Sequence, residues 1–453
     1  MLEKLNVLKY TPLWLFAVRS WFRDTVFRRI FANAGLLLSG KTVTGFLGLG
    51  YISLSAHGLG LHDFGLLVLV QTYVQVIVGL TTFHSWQAVI RYGTISLEQS
   101  DNVAFQKLIQ FTSLLDVVGV CIGFVIAWFI APVLGPYLGW NDQIISYAQF
   151  YSVLILFTIV ATPTGLLRLY DRFDILAWQV TIIPGLRLIG VGLAVYFDKP
   201  IWAYLLAWFV AGVLGGLILV FLGWREGFTR GNLRQMSLSM RGVIRTNRGI
   251  VGFCFASNFH SSLQIVTGHM ATLLVGLLVT PGAAGLYKAG REVATALTKP
   301  AELLTQSIYP EFARLGATGN WTAVWALIRR AETLSAIAGI AIFLGVFSFG
   351  QPFLMVFFGA DFAQAYAVLV LLVAAASITI AGFGFDPALY AMGLPSVSLR
   401  VNALAVFLVY LPALVVLTQA YQEVGAGIAM LLSSTVMMGT LGIWTWIELK
   451  RRM

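Results

Sequence analysis

Residues 285–304, GLYKAGREVATALTKPAELL, place Lys288, Arg291, Glu292, Lys299 and Glu302 inside an otherwise strongly apolar chain. A lysine ammonium is a compact point charge, whereas the planar fork of an arginine matches a phosphate or carboxylate. At about 100° per residue, Glu292, Thr295, Lys299, Glu302 and Gln306 fall on one helical stripe with Lys288, and Arg291 lies roughly 60° to its side. Leu286, Val293, Leu297 and Leu304 lie opposite. Charges cannot face lipid along such a length, since each costs about 2.5–3.5 kcal/mol at the bilayer centre even on lenient scales. The stripe is therefore expected to line a water-filled cavity. Lys288–Glu292 (i, i+4) and Lys299–Glu302 (i, i+3) have the spacing to neutralise each other, which leaves Arg291 for an anionic ligand.

Other polar residues at membrane depth follow the same pattern. Ser257, His260, Ser261, Gln264, Thr267 and Gly268 recur at helical spacing with Asn258 alongside, a hydrogen-bonding face. His260 reads either as a proton carrier or as a neutral, satisfied histidine. Lys41 shares a face with Thr44, Gly48 and Ser55, and reads as a cavity residue or as a lysine snorkelling to the interface. Arg187 follows Pro184-Gly185, where a kink is expected. Asp116 is a candidate counter-ion for Arg187 or a coupling-ion site. Deep cations (Lys41, Arg187, Lys288, Arg291, Lys299) outnumber deep acids (Asp116, Glu292, Glu302), so the ligand of such an interior is expected to be anionic. No cluster of His, Cys, Asp and Glu has metal-ligand spacing, and no phosphate-binding glycine loop is present. Neither a catalytic centre nor a cofactor is expected, although coupling to H+ or Na+ remains open.

The elements that position these residues are membrane helices. Of 453 residues, 58% are hydrophobic and 11% charged, against about 25% charged in soluble domains, and the mean hydropathy is +0.85. Apolar runs repeatedly reach the roughly 20 residues that cross a bilayer. The chain is read as all-α and polytopic, with spans near 31–56, 64–84, 107–131, 144–167, 174–197, 201–223, 249–278, 283–310, 325–350, 364–391, 397–418 and 424–447. With both termini inside, the outward loops hold one basic residue, Lys199, while Arg225, Arg230, Arg234, Arg241, Arg245 and Arg248 fall inward. This one-sided distribution follows the positive-inside rule and explains the net charge of +10 without nucleic acid. Aromatics at the outward ends, Trp128, Tyr137, Trp140, Trp202 and Tyr204, read as an interfacial belt. Cys121 and Cys254 lie in apolar spans, where neither a disulfide nor a metal is expected. No cleavable leader is evident; residues 1–30 mix aromatics with arginines and read as an interfacial amphipathic arm.

The polar stretch 225–248 divides a bundle at 31–224 from a second at 249–453. LGLHDFGLL (59–67) and TPGAAGLYK (280–288) open the second span of each half, and superposing Gly65-Leu66 on Gly285-Leu286 gives an offset of 220 residues. Two six-helix bundles of like orientation around a central cavity follow, a parallel repeat of the kind found in transporters. Short outward loops exclude an external catalytic domain.

LGLHDFGLLVLVQTY (59–73) and AAGLYKAGREVATALTKPAELLTQSIYPEFARL (283–315) resemble segments of bacterial polysaccharide flippases, the O-antigen (Wzx-like) type within the multidrug/oligosaccharidyl-lipid/polysaccharide exporter superfamily. The resemblance implies translocation of a polyprenyl-pyrophosphate-linked oligosaccharide across the bacterial inner membrane by alternating access. It also implies partners in the lipid and in polysaccharide-assembly proteins. Multidrug exporters, lipid II flippases and a non-transporting scaffold are the alternatives. The first span holds Lys41 and no acid, unlike the drug exporters; the chain stops after twelve spans, unlike the lipid II flippases; a scaffold needs no polar stripe.

Overall fold

The computed structural model describes residues 25–233, 249–317 and 319–453, with the side chains of 25–39, 41, 255–267, 298–311, 313, 316 and 317 outside the description. The arm expected over 1–30 and most of the 225–248 linker therefore fall outside it. The described residues are helical almost throughout. Eight stretches among them are long and apolar enough to cross a membrane. The longest of these are pairs of helices joined at a kink, and every expected span corresponds to helix.

The first half comprises α1 (Thr25–Thr81), α2 (Trp86–Glu98), α3 (Asn102–Leu134), α4 (Asp142–Ser152), α5 (Ala161–Leu169), α6 (Phe173–Tyr196) and α7 (Ile201–Thr229). The second comprises α8 (Ile250–Leu278), α9 (Pro281–Ala317), α10 (Trp321–Phe358), α11 (Tyr366–Ala381), α12 (Phe385–Ala391), α13 (Pro395–Leu404) and α14 (Leu411–Arg452), with a π-helical segment at Ala405–Tyr410. Helix α1 is two helices joined at Gly60, whose φ of 69° is open to glycine without steric cost. Helix α14 breaks similarly at Tyr421-Gln422. Both breaks fall in the short outward loops that the hydropathy pattern marks. Polar caps start several other helices: Asp101 accepts from Ala104 N at 2.8 Å, Asn141 from Ile144 N at 2.9 Å and Asn320 from Ala323 N at 3.1 Å.

Helix α2 occupies a segment, 85–106, that the hydropathy pattern leaves as an inward loop. Its apolar face packs on α3 and on the first turns of α8, where Ala88, Leu108, Ile250 and Cys254 form a small core. Tyr92 meets Phe253 edge to face with the ring centroids 5.9 Å apart, and the Arg91 guanidinium lies 4.9 Å from the Phe253 centroid. The start of the second half is thus seated on the first.

Packing differs between the two ends of the molecule. At the end carrying the kinks of α1 and α14, one core unites both halves: Phe64, Leu67 and Tyr73 with Ala284, Tyr287, Phe358, Phe362 and Leu369. At the other, basic end the described cores are smaller: one around Phe312, Ile328, Leu389 and Leu441 lies in the second half, others around Phe105 and Leu166, and Leu167 and Leu219, lie in the first, and the cluster of Ala88, Leu108, Ile250 and Cys254 joins the two. The united end is tight because small residues let backbones approach. A Cβ on Gly65 would collide with the Pro281 carbonyl, and one on Gly285 would stand 3.3 Å from Gly65 Cα. The two glycines that superpose in the sequence repeat are therefore in contact with each other. Ser53 Oγ donates to the Phe357 carbonyl, and Phe64 meets Phe362 edge to face at 5.5 Å, extending the seal to α10. Among the described residues the halves share their largest core at the kinked end and are joined at the basic end by the small cluster of α2, α3 and α8.

This packing is checked by cross-linking. A Cβ at Gly282 lies 3.5 Å from Leu61 Cγ, so a Leu61→Cys, Gly282→Cys pair, with Cys121 and Cys254 replaced by Ala, is expected to oxidise to a disulfide in most molecules. Adding Gly65→Val drives the new side chain into the Pro281 carbonyl and is expected to cut the cross-linked fraction several-fold; an unchanged fraction contradicts the close crossing.

Candidate functional site

Between the halves lies a cavity of about 310 Å³, lined by Thr44, Gly48 and Tyr51 of α1, Ile183, Pro184 and Arg187 of α6, and Glu292 and Ala296 of α9. It is built from both halves. Thr44 Oγ1 donates to the Val180 carbonyl at 3.2 Å and Gly40 packs its backbone on Ala177, which holds α1 against α6 and sets the cavity floor.

Arg187 is the cavity's cation. Pro184 sits inside α6 and lacks an N–H for the helix ladder, and Arg187 follows within the next turn. The guanidinium is buried, donates from Nη1 to the Tyr51 hydroxyl at 3.2 Å, and lies 5.4 Å from the Tyr51 ring centroid and 5.0 Å from that of Trp208. Tyr51 and Trp208 themselves meet edge to face at 5.3 Å. A cation between two aromatic faces gains about 2 kcal/mol or more once desolvated. That does not replace hydration: among the described residues, Arg187 Nε and the nearby Tyr151 hydroxyl are buried with no hydrogen-bond partner. The compensating carboxylate that acts on Arg187 is Glu292, from the other half. Arg187 lines the cavity, and a guanidinium there is suited to an oxyanion.

The stripe on α9 divides. Lys288 Nζ pairs with Glu292 Oε1 at 2.6 Å, with the Lys288 side chain 9% exposed, so this pair takes the internally neutralised arrangement. Residues 283–290 are buried throughout by the sealed end. The water-filled wall expected at Lys288 is therefore replaced by a dry one, and only from Glu292 onward does α9 reach the inter-half cavity. Arg291 turns into the second half, toward Gly268, Tyr287, Tyr410, Ser433 and Ser434.

Asp116 does not meet Arg187. Its carboxylate accepts from Ser85 Oγ at 2.6 Å and from the Thr162 backbone N–H at 2.8 Å. It thereby caps the first turn of α5 and ties it to the residue preceding α2, a structural use of the charge at a helix N-terminus. Lys41, His260, Gln264, Lys299 and Glu302 lie outside the described side chains. Several site residues escape the sequence pattern. Tyr51, Tyr151 and Trp208 are aromatics in apolar spans, where core and site look alike. His269, one residue after Gly268, has a buried Nδ1 without a partner among the described residues, near Lys288, Arg291 and Glu292. Of the expected aromatic belt, Trp128, Tyr137 and Trp202 are exposed, but Trp140 and Tyr204 are buried, Trp140 packing edge to face on Tyr73 at 5.6 Å.

The model of a family described as polysaccharide biosynthesis protein matches residues 30–316. The chain belongs to that family. It is 33% identical over 354 residues to Inner membrane protein YghQ of Escherichia coli (strain K12), covering 78% of this chain and 99% of the relative. Among solved structures, the fold is similar to Lipid II flippase MurJ in an inward closed conformation (TM-score 0.67, 13% identity, 92% of this chain and 90% of that one). It is also similar to an inward-facing multidrug resistance MATE family transporter of the MOP superfamily (TM-score 0.66, 13% identity, 92% and 94%). This family member has the MATE- and MurJ-like transporter fold and crosses the membrane many times.

Asp116→Ala leaves the Ser85 hydroxyl and the Thr162 N–H buried and unmet, at about 1–3 kcal/mol for each group. Thermal unfolding of the purified protein is expected to shift down by several degrees, while any Na+ or pH dependence of transport stays where it is; a displaced ion dependence contradicts the capping role.

Proposed function

We propose that this protein is a flippase that moves a polyprenyl-pyrophosphate-linked oligosaccharide from the cytoplasmic to the outer leaflet of the bacterial cytoplasmic membrane by alternating access, in the service of polysaccharide synthesis. The observation that carries the reading is the buried cation Arg187 in a cavity built from both halves, faced there by Glu292 of the other half, in a fold whose halves share their main core at the kinked end. Family membership supports the glycan side of the reading, and an O-antigen-type glycan is proposed from the resemblance of the sequence motifs.

The geometry supports a simple order of steps. With both termini cytoplasmic, the basic end faces inward. The pyrophosphate, carrying the highest charge density of the substrate, is drawn toward Arg187, whose planar guanidinium matches an oxyanion. Lys41, Lys299, His260 and Gln264 are proposed to extend the contact along the sugars. The polyprenyl tail stays in the bilayer between the halves 31–224 and 249–453. Binding of a dianion between Arg187 and the second half alters the balance with Glu292, and Glu292 remains held by Lys288. Rocking of the halves, linked by the basic segment 225–248, then parts the sealed end. Glu292 and Glu302 are the acids on α9 that a coupling cation, H+ or Na+, would address.

Transfer of a fluorescent polyprenyl-pyrophosphate-linked oligosaccharide across liposomes containing the pure protein tests the proposal. Wild-type protein is expected to transfer it, and Arg187→Ala, which also loses the cation contacts to Tyr51 and Trp208, to fall at least about tenfold, the equivalent of about 1.4 kcal/mol. Arg187→Lys retains the charge without the fork and is expected to fall in between. Full transfer by folded Arg187→Ala removes the residue from the mechanism. Robust ethidium efflux by the same liposomes would instead assign a cationic substrate.

A further inference from the structure

A second cavity, of about 360 Å³, lies wholly within the second half, lined by residues from 268 to 437 and sharing none with the inter-half cavity. Its charged group is Arg291. Among the described residues Arg291 has no carboxylate within ion-pair distance and no hydrogen-bond acceptor, since Glu292 is turned to Lys288. The guanidinium reaches α8 where Gly268 leaves room: a Cβ there would stand 3.3 Å from Arg291 Nη2.

The opposite wall supplies hydroxyls. Ser433 and Ser434 of α14 are buried, and Ser433 Oγ donates a long hydrogen bond of 3.4 Å to the Ala405 carbonyl, in the π-helical segment Ala405–Tyr410. Val406 and Tyr410 of that same segment line the cavity, and Tyr410 is hydrogen-bonded to Tyr287 on α9. A π-helical turn is rare and is found frequently at functional sites, because the wider turn displaces side chains from the regular helix register. Here the displaced register faces Arg291, which has no ion pair among the described residues. Leu372, Met430 and Met437 close the remaining sides. A guanidinium, hydroxyls and an apolar surround, with no acid among the described lining residues, favour an oxyanion over a cation. The volume is at the small end of the roughly 300–1,000 Å³ spanned by ligand pockets, enough for one compact anion and too small for an oligosaccharide.

We propose that the second half carries its own anion site, separate from the inter-half cavity, in which Arg291 with Ser433 and Ser434 takes a compact oxyanion, a carboxylate or a phosphate. Two sources share that chemistry: the carboxylate of an acidic sugar and free inorganic phosphate. The site stands on the geometry of the second half alone and does not depend on the transport reading.

Thermal unfolding of the purified full chain, followed by tryptophan fluorescence in sodium glucuronate, sodium phosphate or glucose at matched ionic strength, tests it. Glucuronate, phosphate or both are expected to raise the midpoint in a saturable way, as a ligand of the native state must, and glucose is not. Saturation by glucuronate alone points to an acidic sugar, and saturation by phosphate alone to the free ion. Arg291→Gln is expected to abolish the shift and Arg291→Lys to weaken the apparent affinity about tenfold. The Ser433→Ala, Ser434→Ala double variant is expected to weaken it several-fold, and Arg187→Gln to leave it in place. No shift in the wild type, an undiminished shift in Arg291→Gln or in the double serine variant, or a shift lost in Arg187→Gln instead, overturns the assignment.

Discussion

Where α1 crosses α9, backbone meets backbone. No side chain separates Gly65 from the Pro281 carbonyl or from Gly285, and the core that spreads from this crossing is shared by both halves. In a bilayer the lipid tails are as apolar as leucine, so association of the halves rests on close packing and hydrogen bonds rather than on exclusion of water. A seal made of glycine contacts, one serine hydroxyl and interlocking phenylalanines is tight without relying on an ion pair between the halves. It can be parted without stranding a charge in lipid. The buried start of α9 follows from the seal, and so does the burial of Lys288, which Glu292 meets at the edge of the inter-half cavity.

The intramembrane charges sort themselves by how each is compensated. Asp116 is matched by a hydroxyl and a helix N-terminus and holds the first half together. Lys288 and Glu292 match each other. Arg187 has aromatic faces, one phenol and Glu292 from the other half, and Arg291 has hydroxyls and no acid among the described residues that line its cavity. Removing an ion from water costs several kcal/mol even after relaxation. A charge left with incomplete partners is therefore the one that a ligand stabilises most. Among the described side chains both arginines fall in this group, and the Lys288–Glu292 pair falls in the other.

Much of this architecture is legible in the sequence, because apolar length and the placement of arginines depend on composition alone. Helices lie over the expected spans, eight stretches of the described residues being long and apolar enough to cross a membrane; the short loops that become the breaks at Gly60 and Tyr421-Gln422, and the offset of 220 between Gly65 and Gly285, also correspond to features of the fold. The site is less legible. Helical periodicity places Lys288, Arg291 and Glu292 on one broad face, but α9 is packed on several sides, and the face is split between a seal, an inter-half cavity and an internal one. Periodicity also cannot say which acid meets which cation: Asp116 lies at a depth that suits Arg187, yet the start of α5 claims it. Tyr51 and Trp208 are invisible for a related reason, since an aromatic ring under an arginine has the same sequence context as one facing lipid. Helix α2 lies in a segment too short and polar for a span, and its role emerges only from its packing on α8.

That packing makes α8 a tether: its first turns sit on the first half at the basic end, while its far end joins the shared core of the sealed end. Any rocking of the halves about the Gly65–Gly285 crossing must carry α8 with it, so the two ends are expected to move reciprocally. Spin labels on the exposed positions Phe228 and Trp446 report the basic end, and labels on Tyr137 and Tyr421 the sealed end. Pulsed electron–electron distance measurements in nanodiscs, with and without the polyprenyl-linked oligosaccharide, are expected to show the 228–446 distance shortening as the 137–421 distance lengthens. Distances that stay fixed, or that change in the same sense at both ends, contradict reciprocal rocking.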